Sequence, residues 1–417
     1  MPAIHSFPIH RIEISRQALQ SNVQLFRELA PDSLFMAVVK SNAYGHDLEL
    51  VVEALSGRVD WFGVNSLHEV RRARRVDVST PILVMGLDAR ELKAGLALFQ
   101  KGFDGADASA PSRAESLDLT GVTFVVSSLE MLRFIHEQRP DVAFHLKVDT
   151  GLSRLGASGA DLEECLEFLA AHPELAWTGL MTHFANVEDV TDQSYALEQL
   201  ARFTAVRERA REAAGSRKLL AHAAASAPAL ILPESRLDLI RVGISLYGLW
   251  PSSQTRLSVL SQLGRLPELR PVLRWSTRIA HVHAVSAGTS VGYGCTYQVP
   301  ADTSVATLPV GYYEGYERGL SNRAHVLIRG RRARVLGRVS MNMIVVDVGH
   351  IPGVVAGEEA VLLGRGALPE ETPSQTESKA PRKTEEISAD DLAELTGTIN
   401  YEVVTRIHAD LPRTLVD

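Results

Sequence analysis

Cysteine is scarce in this sequence, and long apolar runs are absent from it. The 417 residues include two cysteines, Cys165 and Cys295, which are too few for a disulfide framework or a four-ligand zinc site. No apolar stretch approaches the roughly twenty residues that span a bilayer. The start, Met1–Pro8, lacks the basic and apolar segments of a secretory signal. We therefore expect a soluble cytoplasmic protein with no membrane partner.

The charge shows no basic surplus, and two phosphate-binding motifs are missing. Lys and Arg number 43 against 50 Asp and Glu, for a formal net charge of −7. Binding to nucleic acid requires many cations to neutralise phosphates, so nucleic acid is not expected as a partner. Neither a helix-opening G-x-G-x-x-G nor a G-x-x-x-x-G-K-[ST] segment occurs, which disfavours dinucleotide and nucleoside-triphosphate binding.

The region between about residues 34 and 243 contains short β-rich runs that alternate with helix-length segments. The predicted strands are Leu34–Lys40, Trp61–Val64, Pro81–Met85, Val122–Val126, Ala143–Val148, Trp177–His183, Lys218–His222 and Leu237–Val242. Strands that alternate with helices pair in parallel through right-handed crossovers. Eight such units predict a (β/α)₈ TIM barrel, with an open doubly wound sheet as the alternative.

The pattern changes after Pro271, where polar and apolar residues alternate and glycines recur at turn-like intervals. This pattern predicts an appended, mostly antiparallel β-domain. We therefore divide the chain into an N-terminal extension (1–10), the barrel (11–250), a connecting segment (251–270) and a C-terminal β-domain (271–417). A segment at about 365–386 is rich in Pro, Glu, Thr, Ser and Lys, and we interpret it as an exposed, mobile insertion without catalytic value.

Reactive residue types stand at the ends of several predicted barrel strands, where barrel enzymes place their active sites. They are Lys40, Lys147, His183, Ser226 and Arg241. A lysine in an apolar barrel mouth has a lowered pKa and can form a Schiff base with an aldehyde. Backbone N–H groups near Gly243 and Ile244, after the last strand, fall where barrels bind phosphate. The residues alone leave pyridoxal phosphate chemistry and an aldolase-type lysine enzyme equally open.

The segment Val38–His46 (VVKSNAYGH) resembles the pyridoxal-phosphate attachment site of the alanine racemases. The similarity continues, in order, through His145–Gly151, Arg154–Gly156, Thr182–Ala185, Arg241–Ile244, Val291–Gly294, Pro309–Tyr312, Gly337–Met341 and Gly397–Glu402. It runs from near residue 10 to the C-terminus and omits the insertion. The resemblance implies a homodimer with shared active sites. It also implies a pyridoxal 5′-phosphate-dependent enzyme that interconverts L- and D-alanine and supplies D-alanine for peptidoglycan.

The resemblance also assigns roles to individual residues. Lys40 would carry the cofactor and act as one proton-transfer base. Tyr293 would be the second base, on the opposite face of the substrate, and would come from the partner subunit. The residues implied to bind the cofactor phosphate are Tyr44, Ser226, Gly243, Ile244 and Tyr401.

Further residues would contact the cofactor ring or the substrate. Arg154 would approach the ring hydroxyl and the substrate, with Lys147 nearby, and this lysine is carbamylated in some members of the family. Met341 and Tyr312 would bind substrate, Met341 through its backbone at the substrate carboxylate. His183 would lie at the cofactor and support the second base, whose lowered pKa we attribute to His183 and neighbouring cations.

Arg241 has a physical consequence of its own if it faces the ring nitrogen. A permanently protonated guanidinium donates a hydrogen bond without transferring its proton. The ring nitrogen then stays largely neutral, so the carbanion is only modestly stabilised and is quickly reprotonated. Decarboxylases of this architecture use a carboxylate at that nitrogen, so Arg241 argues against them.

Three positions depart from the family pattern. Ala225 replaces an asparagine before the phosphate-binding serine, Asn342 replaces an aspartate, and Glu314 stands where aspartate is common. These departures affect expected affinities and not the reaction class. No metal site is expected, because the pair His281 and His283 has no carboxylate or cysteine ligand close by in sequence.

Three alternatives to an alanine racemase remain open. They are a basic amino-acid decarboxylase, a racemase of broader substrate range and a non-enzymatic cofactor carrier. The carrier would give Tyr293 and the domain after Pro271 no purpose.

Overall fold

A computed structural model describes residues 9–86, 89–93, 119–189, 192–366 and 385–417. The chain forms two units. Residues 19–43 and 51–270 make up what we call the barrel unit, and residues up to 18, 44–50 and 271–417 make up the β unit. The first strand, β1 (His10–Ser15), belongs to the β unit, although the sequence-based division placed most of it in the barrel.

The described part of the barrel unit contains eight parallel strands in the order β8-β7-β6-β5-β4-β3-β2-β9. They are β2 (Leu34–Val38), β3 (Trp61–Val64), β4 (Ile82–Val84), β5 (Val122–Val126), β6 (Phe144–Lys147), β7 (Trp177–Met181), β8 (Leu220–His222) and β9 (Leu239–Val242). Backbone bonds bring the two edge strands together, since Asp238 N donates to Ala221 O and Arg241 N to Ala224 O, both at 3.0 Å. The predicted (β/α)₈ barrel is confirmed, and the open sheet is excluded.

Helices follow most of the barrel strands. After α1 (Arg16–Leu29), which precedes the first barrel strand, they are α2 (Leu48–Leu55), α3 (Leu67–Arg74), α4 (Leu129–Gln138), α5 (Gly159–Ala171), α6 (Ser194–Ala214), α7 (Ser226–Ile231) and α8 (Ser253–Leu263). The side chains of Ser66 and Ser128 cap α3 and α4 by accepting from backbone N–H groups in the first turn. Every residue of β5 is buried, as expected of a parallel strand covered on both faces.

The β unit is built on a large sheet of order β11-β14-β17-β16-β15-β18-β10-β1-β20. Its remaining strands are β10 (Leu273–Arg278), β11 (His281–Val285), β12 (Ser290–Val291), β13 (Tyr297–Gln298), β14 (Thr303–Leu308), β15 (His325–Ile328), β16 (Arg331–Leu336), β17 (Ile344–Asp347), β18 (Glu359–Arg365), β19 (Glu386–Ile387) and β20 (Arg413–Val416). All of its pairings are antiparallel except that of β1 with β20, so the predicted β-domain is confirmed.

Two helices complete the β unit, α9 (Ala389–Thr396) and α10 (Asn400–Thr405). A capping box begins α9, in which Ser388 and Asp391 bond each other's backbone N–H groups. The insertion expected at about 365–386 falls mainly on residues 367–384, which lie outside the described part of the chain. Its two flanks pair with each other, Arg365 opposite Glu386. Among the helices that the structure describes, none combines the length and apolarity needed to cross a bilayer.

Candidate active site

The backbone turns left-handed immediately after Lys40. Strand β2 ends at Val38, two residues before the predicted end, and Ser41, Asn42, Ala43 and Tyr44 then have φ values of 53–56°. The left-handed conformation costs a non-glycine residue roughly 1–2 kcal/mol. Strain of this kind clusters at functional sites, so the turn marks Lys40 independently of any motif.

Glu69 on α3 stabilises this turn. Its carboxylate accepts from the backbone N–H of Ser41 and from that of Asn65, both at 2.6 Å. Arg72, one helical turn further along, donates to the side chain of Asn42 at 2.7 Å. These charge-assisted bonds offset part of the strain and fix the backbone beside Lys40.

Lys40 is half-buried in a positive environment. Its burial, reinforced by the guanidinium of Arg154, lowers the pKa of its ammonium group, and Glu69 opposes this shift. Among the described residues, no carboxylate lies within ion-pair distance of its amine. A lysine in this environment loses its proton at smaller cost, so more of its amine is in the uncharged form that acts as a nucleophile or base.

Lys147, the last residue of β6, shares this positive environment. Burial and the neighbouring Arg154 and Arg241 lower its pKa to about 8, with Asp149 opposing. The carboxylate of Asp149 is occupied by the backbone N–H groups of Gly151 and Leu152, at 2.8 and 2.9 Å. Among the described residues, the barrel mouth therefore gathers more cations than carboxylates, which is an arrangement that favours an anionic ligand.

Arg241 is buried at 3% exposure and is held by acceptors that carry no charge. Its Nη2 donates to the carbonyls of Thr182 and Ala223 at 2.8 and 2.9 Å, and its Nη1 to Nδ1 of His222 at 2.8 Å. Burial lowers its pKa to about 10, so it remains charged at neutral pH. Its Nε–H has no partner in the part of the chain that the structure describes, and it is free for a ligand.

Two buried histidines continue from Arg241 into the barrel. Because the guanidinium can only donate, Nδ1 of His222 accepts, and the ring carries its proton on Nε2. That Nε2 lies 2.8 Å from Nδ1 of His145, which therefore accepts in turn. Burial and the charge of Arg241 lower the pKa of His145 to about 3, and that of His222 well below its ordinary value. Both rings are neutral, and they fix the orientation of Arg241.

His183 lies two residues beyond the end of β7. Its Nδ1 is 3.3 Å from Nη2 of Arg241, and burial with the surrounding cations lowers its pKa to about 3. The ring is therefore uncharged at neutral pH. His183 therefore adds no positive charge to the site, and the charge there comes from Arg241 and the other cations.

These three histidines make the stability of the fold sensitive to acid. Their folded pKa values lie below the ordinary 6.5, so below pH 6.5 the unfolded chain binds protons that the folded chain does not. Each histidine should lower the free energy of unfolding by about 1.3 kcal/mol between pH 7 and pH 5.5. Denaturant titrations across this range measure the loss. His145→Gln should reduce the slope of the unfolding free energy against pH by the contribution of one histidine, whereas the exposed His281→Gln should leave it unchanged. A free energy of unfolding that does not change with pH would contradict the assignment.

The residues expected to bind phosphate in the barrel unit lie together. Ser226 opens α7, and its Oγ accepts from the backbone N–H of Gly243 at 2.9 Å and of Ser245 at 3.4 Å. The buried N–H of Ile244 donates to none of the described residues, although buried backbone donors are rarely left unpaired. Ala225, where the family pattern has asparagine, gives α7 no side-chain cap.

The two tyrosines expected at the phosphate belong to the β unit and lie near each other. The ring centroids of Tyr44 and Tyr401 are 6.1 Å apart. Burial raises the pKa of Tyr44 to about 12, so its hydroxyl keeps its proton. Gly45, which follows Tyr44, has φ 82°, and a Cβ there would lie 2.1 Å from the Val404 carbonyl oxygen of α10. Glycine is therefore required where the turn meets this helix.

Tyr293 is 73% exposed on a short 3₁₀ turn, Tyr293–Cys295. Gly292 and Gly294 flank its backbone with φ values of 73° and 74°. An exposed side chain on such a projecting turn can reach a neighbouring molecule. That Tyr293 serves the active site of a partner subunit stays a prediction.

Met341 and Tyr312 lie on two loops that are joined through their backbones. Tyr312 N donates to Ser340 O at 3.1 Å, and Tyr313 N to Met341 O at 3.0 Å. Met341 is 54% exposed and Tyr312 44%. The structure therefore places these two predicted substrate-binding residues side by side in the β unit.

The two remaining departures from the family pattern contact each other. Glu314 is 8% exposed, and its carboxylate accepts from the backbone N–H of Gly311 at 2.8 Å and from the side-chain amide of Asn342 at 2.7 Å. An aspartate at 342 would place a second carboxylate beside that of the buried Glu314, and two like charges at this distance repel each other. The departures thus compensate each other and join the loops of Tyr312 and Met341.

Sequence reasoning missed the histidine pair and Glu69. His145 precedes Lys147 by two residues on one strand, so the alternation of side chains places both on the same face. That period could have identified His145. The contact of Glu69 with the Lys40 turn depends on the left-handed backbone, and no sequence pattern indicates it.

Two family models and two sequence relatives that match this chain belong to one enzyme family. Residues 14–251 match a family model described as "Alanine racemase, N-terminal domain", and residues 272–415 match "Alanine racemase, C-terminal domain". The chain is 39% identical over 411 residues to an alanine racemase of Leptospira interrogans, covering 97% of this chain and 95% of the relative. It is 35% identical over 410 residues to that of Desulfovibrio desulfuricans, covering 97% of each.

Solved structures agree with these sequence relatives. The alanine racemase of D-cycloserine-producing Streptomyces lavendulae has a TM-score of 0.81 at 30% identity, covering 99% of this chain and 98% of the other. That of Bacillus anthracis with bound L-Ala-P has a TM-score of 0.78 at 27% identity, covering 99% and 96%. Both domains of the chain are therefore similar to one enzyme family along nearly their whole length.

Proposed function

Because the chain belongs to the alanine racemase family, it is a racemase, and we propose that it interconverts L- and D-alanine with pyridoxal 5′-phosphate as cofactor. One observation carries the proposal beyond the family. Lys40 immediately precedes a strained left-handed turn, and its amine lies in the positive field of the cluster that contains Arg154, Lys147 and Arg241. This arrangement suits an amine that binds an anionic aldehyde and then moves a proton.

The residues present fit this cofactor. When bound, pyridoxal phosphate supplies an aldehyde that condenses with amines and a ring that accepts the electrons of a broken Cα–H bond. The unpaired Ile244 N–H and the Tyr44 hydroxyl suit its phosphate, and the free Nε–H of Arg241 suits the ring nitrogen. We assign the phosphate to Tyr44, Ser226, Gly243, Ile244 and Tyr401, and the ring hydroxyl to Arg154.

Proton transfer is assigned to two residues of this chain. The lowered pKa of Lys40 lets its amine accept the α-proton from one face of the substrate. Tyr293 of the second subunit of a homodimer would serve the opposite face, and the exposure of this side chain supports its reaching another molecule. A proton removed on one face and returned on the other inverts the α-carbon.

The environment of Arg241 supports racemisation over decarboxylation. Its hydrogen bonds go to carbonyls and to neutral histidines, so its proton stays on the guanidinium. A group that only donates keeps the ring a weak electron acceptor and favours rapid return of a proton to Cα. Decarboxylases of this architecture have a carboxylate where this chain has Arg241, and none of the hydrogen bonds that Arg241 makes with the described residues goes to a carboxylate.

Two finer assignments rest on the family. Lys147, whose pKa is lowered to about 8, is partly uncharged near neutral pH, which is the form that carbon dioxide carbamylates. We also propose that the reaction occurs in the cytoplasm and supplies D-alanine for peptidoglycan. Substrate binding is assigned to Arg154, Tyr312 and Met341, with the backbone of Met341 at the substrate carboxylate.

Incubating the protein with pyridoxal phosphate and single L-amino acids in deuterium oxide tests the proposal. L-Alanine should become an equal mixture of enantiomers with deuterium at Cα, as chiral chromatography and mass spectrometry would show. Equally rapid conversion of many amino acids would replace the proposal with a broad-range racemase. Release of carbon dioxide would instead indicate a decarboxylase, and no exchange at all would indicate a carrier.

A further inference from the structure

We propose that His136, His172 and Glu174 form a binding site for a divalent transition metal, with Zn²⁺ as the best fit. The three side chains come from different places: His136 from the last turn of α4, His172 from directly after α5, and Glu174 from the connection to β7. Their ligand atoms all lie within 4.8 Å of one another. The fold thus brings together ligand atoms from two segments that are well separated in sequence.

The spacing of these atoms matches a metal site. Oε1 of Glu174 lies 3.2 Å from Nδ1 of His136 and 2.9 Å from Nδ1 of His172. Two ligands at 2.0–2.1 Å from a tetrahedral zinc ion are about 3.3 Å apart. Both distances to Glu174 are therefore within a few tenths of an ångström of this spacing, and the two histidine ligand atoms lie no more than 4.8 Å apart.

One of the three ligand atoms, Nδ1 of His136, has no hydrogen-bond partner among the described residues. This nitrogen is buried, and its approach to Glu174 lacks hydrogen-bond geometry. Nδ1 of His172 does bond the carboxylate. A metal ion would satisfy both nitrogens and the carboxylate together.

The surrounding residues hold the two imidazoles in place. The ring centroids of His136 and His172 are 4.0 Å apart, and Phe168 packs against both, at 5.7 and 4.4 Å. Arg217 also lies beside this cluster, and its guanidinium is engaged by backbone carbonyls, among them that of Leu169 at 2.7 Å. The ligands are therefore preorganised, which reduces the entropy lost when an ion binds.

The ligand set indicates the kind of metal and its role. Two imidazoles and one carboxylate suit zinc, with water in the fourth position, better than they suit calcium or magnesium. The site lies before the first residue of β7, and His183 lies after its last residue. Because a five-residue strand is about 16 Å long, the site and His183 are at opposite ends of this strand. A metal here would join the ends of α4 and α5 and stabilise the barrel without contacting substrate.

Isothermal titration of chelator-treated holoenzyme with zinc chloride tests this proposal. We expect one ion per chain with micromolar affinity, a rise of a few degrees in the thermal unfolding midpoint, and unchanged racemisation. His136→Ala, His172→Ala and Glu174→Gln should each weaken binding at least about tenfold. Cobalt should give the visible spectrum of a tetrahedral site in the wild type and lose it in these variants.

A matched control is the exposed pair His281 and His283, whose double alanine variant should bind zinc like the wild type. Equal loss in this control, or binding unchanged by the three substitutions, would overturn the proposal, as would affinity only in the millimolar range. Glu174→Gln keeps the test decisive if a histidine variant unfolds, because this carboxylate is exposed and its amide substitute keeps its size.

Discussion

A Lys40→Ala variant is expected to lose racemisation by at least about 10⁴-fold, because it removes both the cofactor attachment point and one proton-transfer base. It should also lose the visible absorption of covalently bound pyridoxal phosphate and the ability to retain cofactor after borohydride reduction. Lys40→Arg should be equally inactive. An arginine preserves the positive charge but neither condenses with an aldehyde nor gives up its proton. Equal inactivity of the two variants would therefore show that the reaction requires the amine of Lys40 and not only its charge.

The most plausible competitor for this role is Lys147, whose pKa is lowered to about 8 in the same cluster. Borohydride-fixed cofactor on Lys147, located by peptide mass spectrometry in the wild type, would refute the assignment. The surface variant Lys93→Ala controls for handling, because this lysine pairs with Glu130 at 3.0 Å on the barrel exterior. It should retain the cofactor spectrum and the rate.

The sequence was sufficient to locate the barrel strands because their apolar runs reflect burial on both faces. It overextended the first one. The predicted strand Leu34–Lys40 ends at Val38, since the left-handed turn that follows is specified by contacts with Glu69 and Arg72. Such contacts between distant residues leave no periodic signal, and non-glycine residues give no warning of a positive φ.

The position of β1 shows the same limitation. His10–Ser15 has the apolar alternation of a strand, with Ile12 and Ile14 fully buried. Its partners β10 and β20 lie more than 250 residues further along the chain. Local pattern predicts that a strand forms, but the choice of sheet depends on a pairing that only the folded chain displays.

The positions of the site residues were easier to predict than their protonation states. Lys147, His183 and Arg241 were expected where barrel strands end, and the structure groups them by distance and charge. Their protonation could not be anticipated. His183 is neutral because it is buried among cations, and His222 accepts at Nδ1 because the guanidinium of Arg241 can only donate. Burial and these contacts exist only in the folded protein.

Tyr293→Phe is expected to lower racemisation by about 10²- to 10⁴-fold while leaving the cofactor spectrum intact. The benzene ring is kept, and the hydroxyl that would serve one face of the substrate is lost. In deuterium oxide the variant should still exchange the α-hydrogen of one enantiomer through Lys40, without inverting it. Tyr313→Phe, another exposed tyrosine of the β unit at 56% exposure, should racemise normally. Normal racemisation by Tyr293→Phe would refute the second-base assignment.

Mixing inactive variants shows which subunit supplies the tyrosine. If Tyr293 serves the partner's site, a heterodimer of Lys40→Ala and Tyr293→Phe chains has one site with both bases intact and one with neither. Random exchange makes half of the dimers mixed, so activity should recover to about a quarter of the wild-type value. If both bases come from one chain, each heterodimer site lacks one of them and no activity returns. Recovery therefore requires that the exposed turn at Tyr293–Cys295 reach the neighbouring barrel, and its absence would place the second base elsewhere.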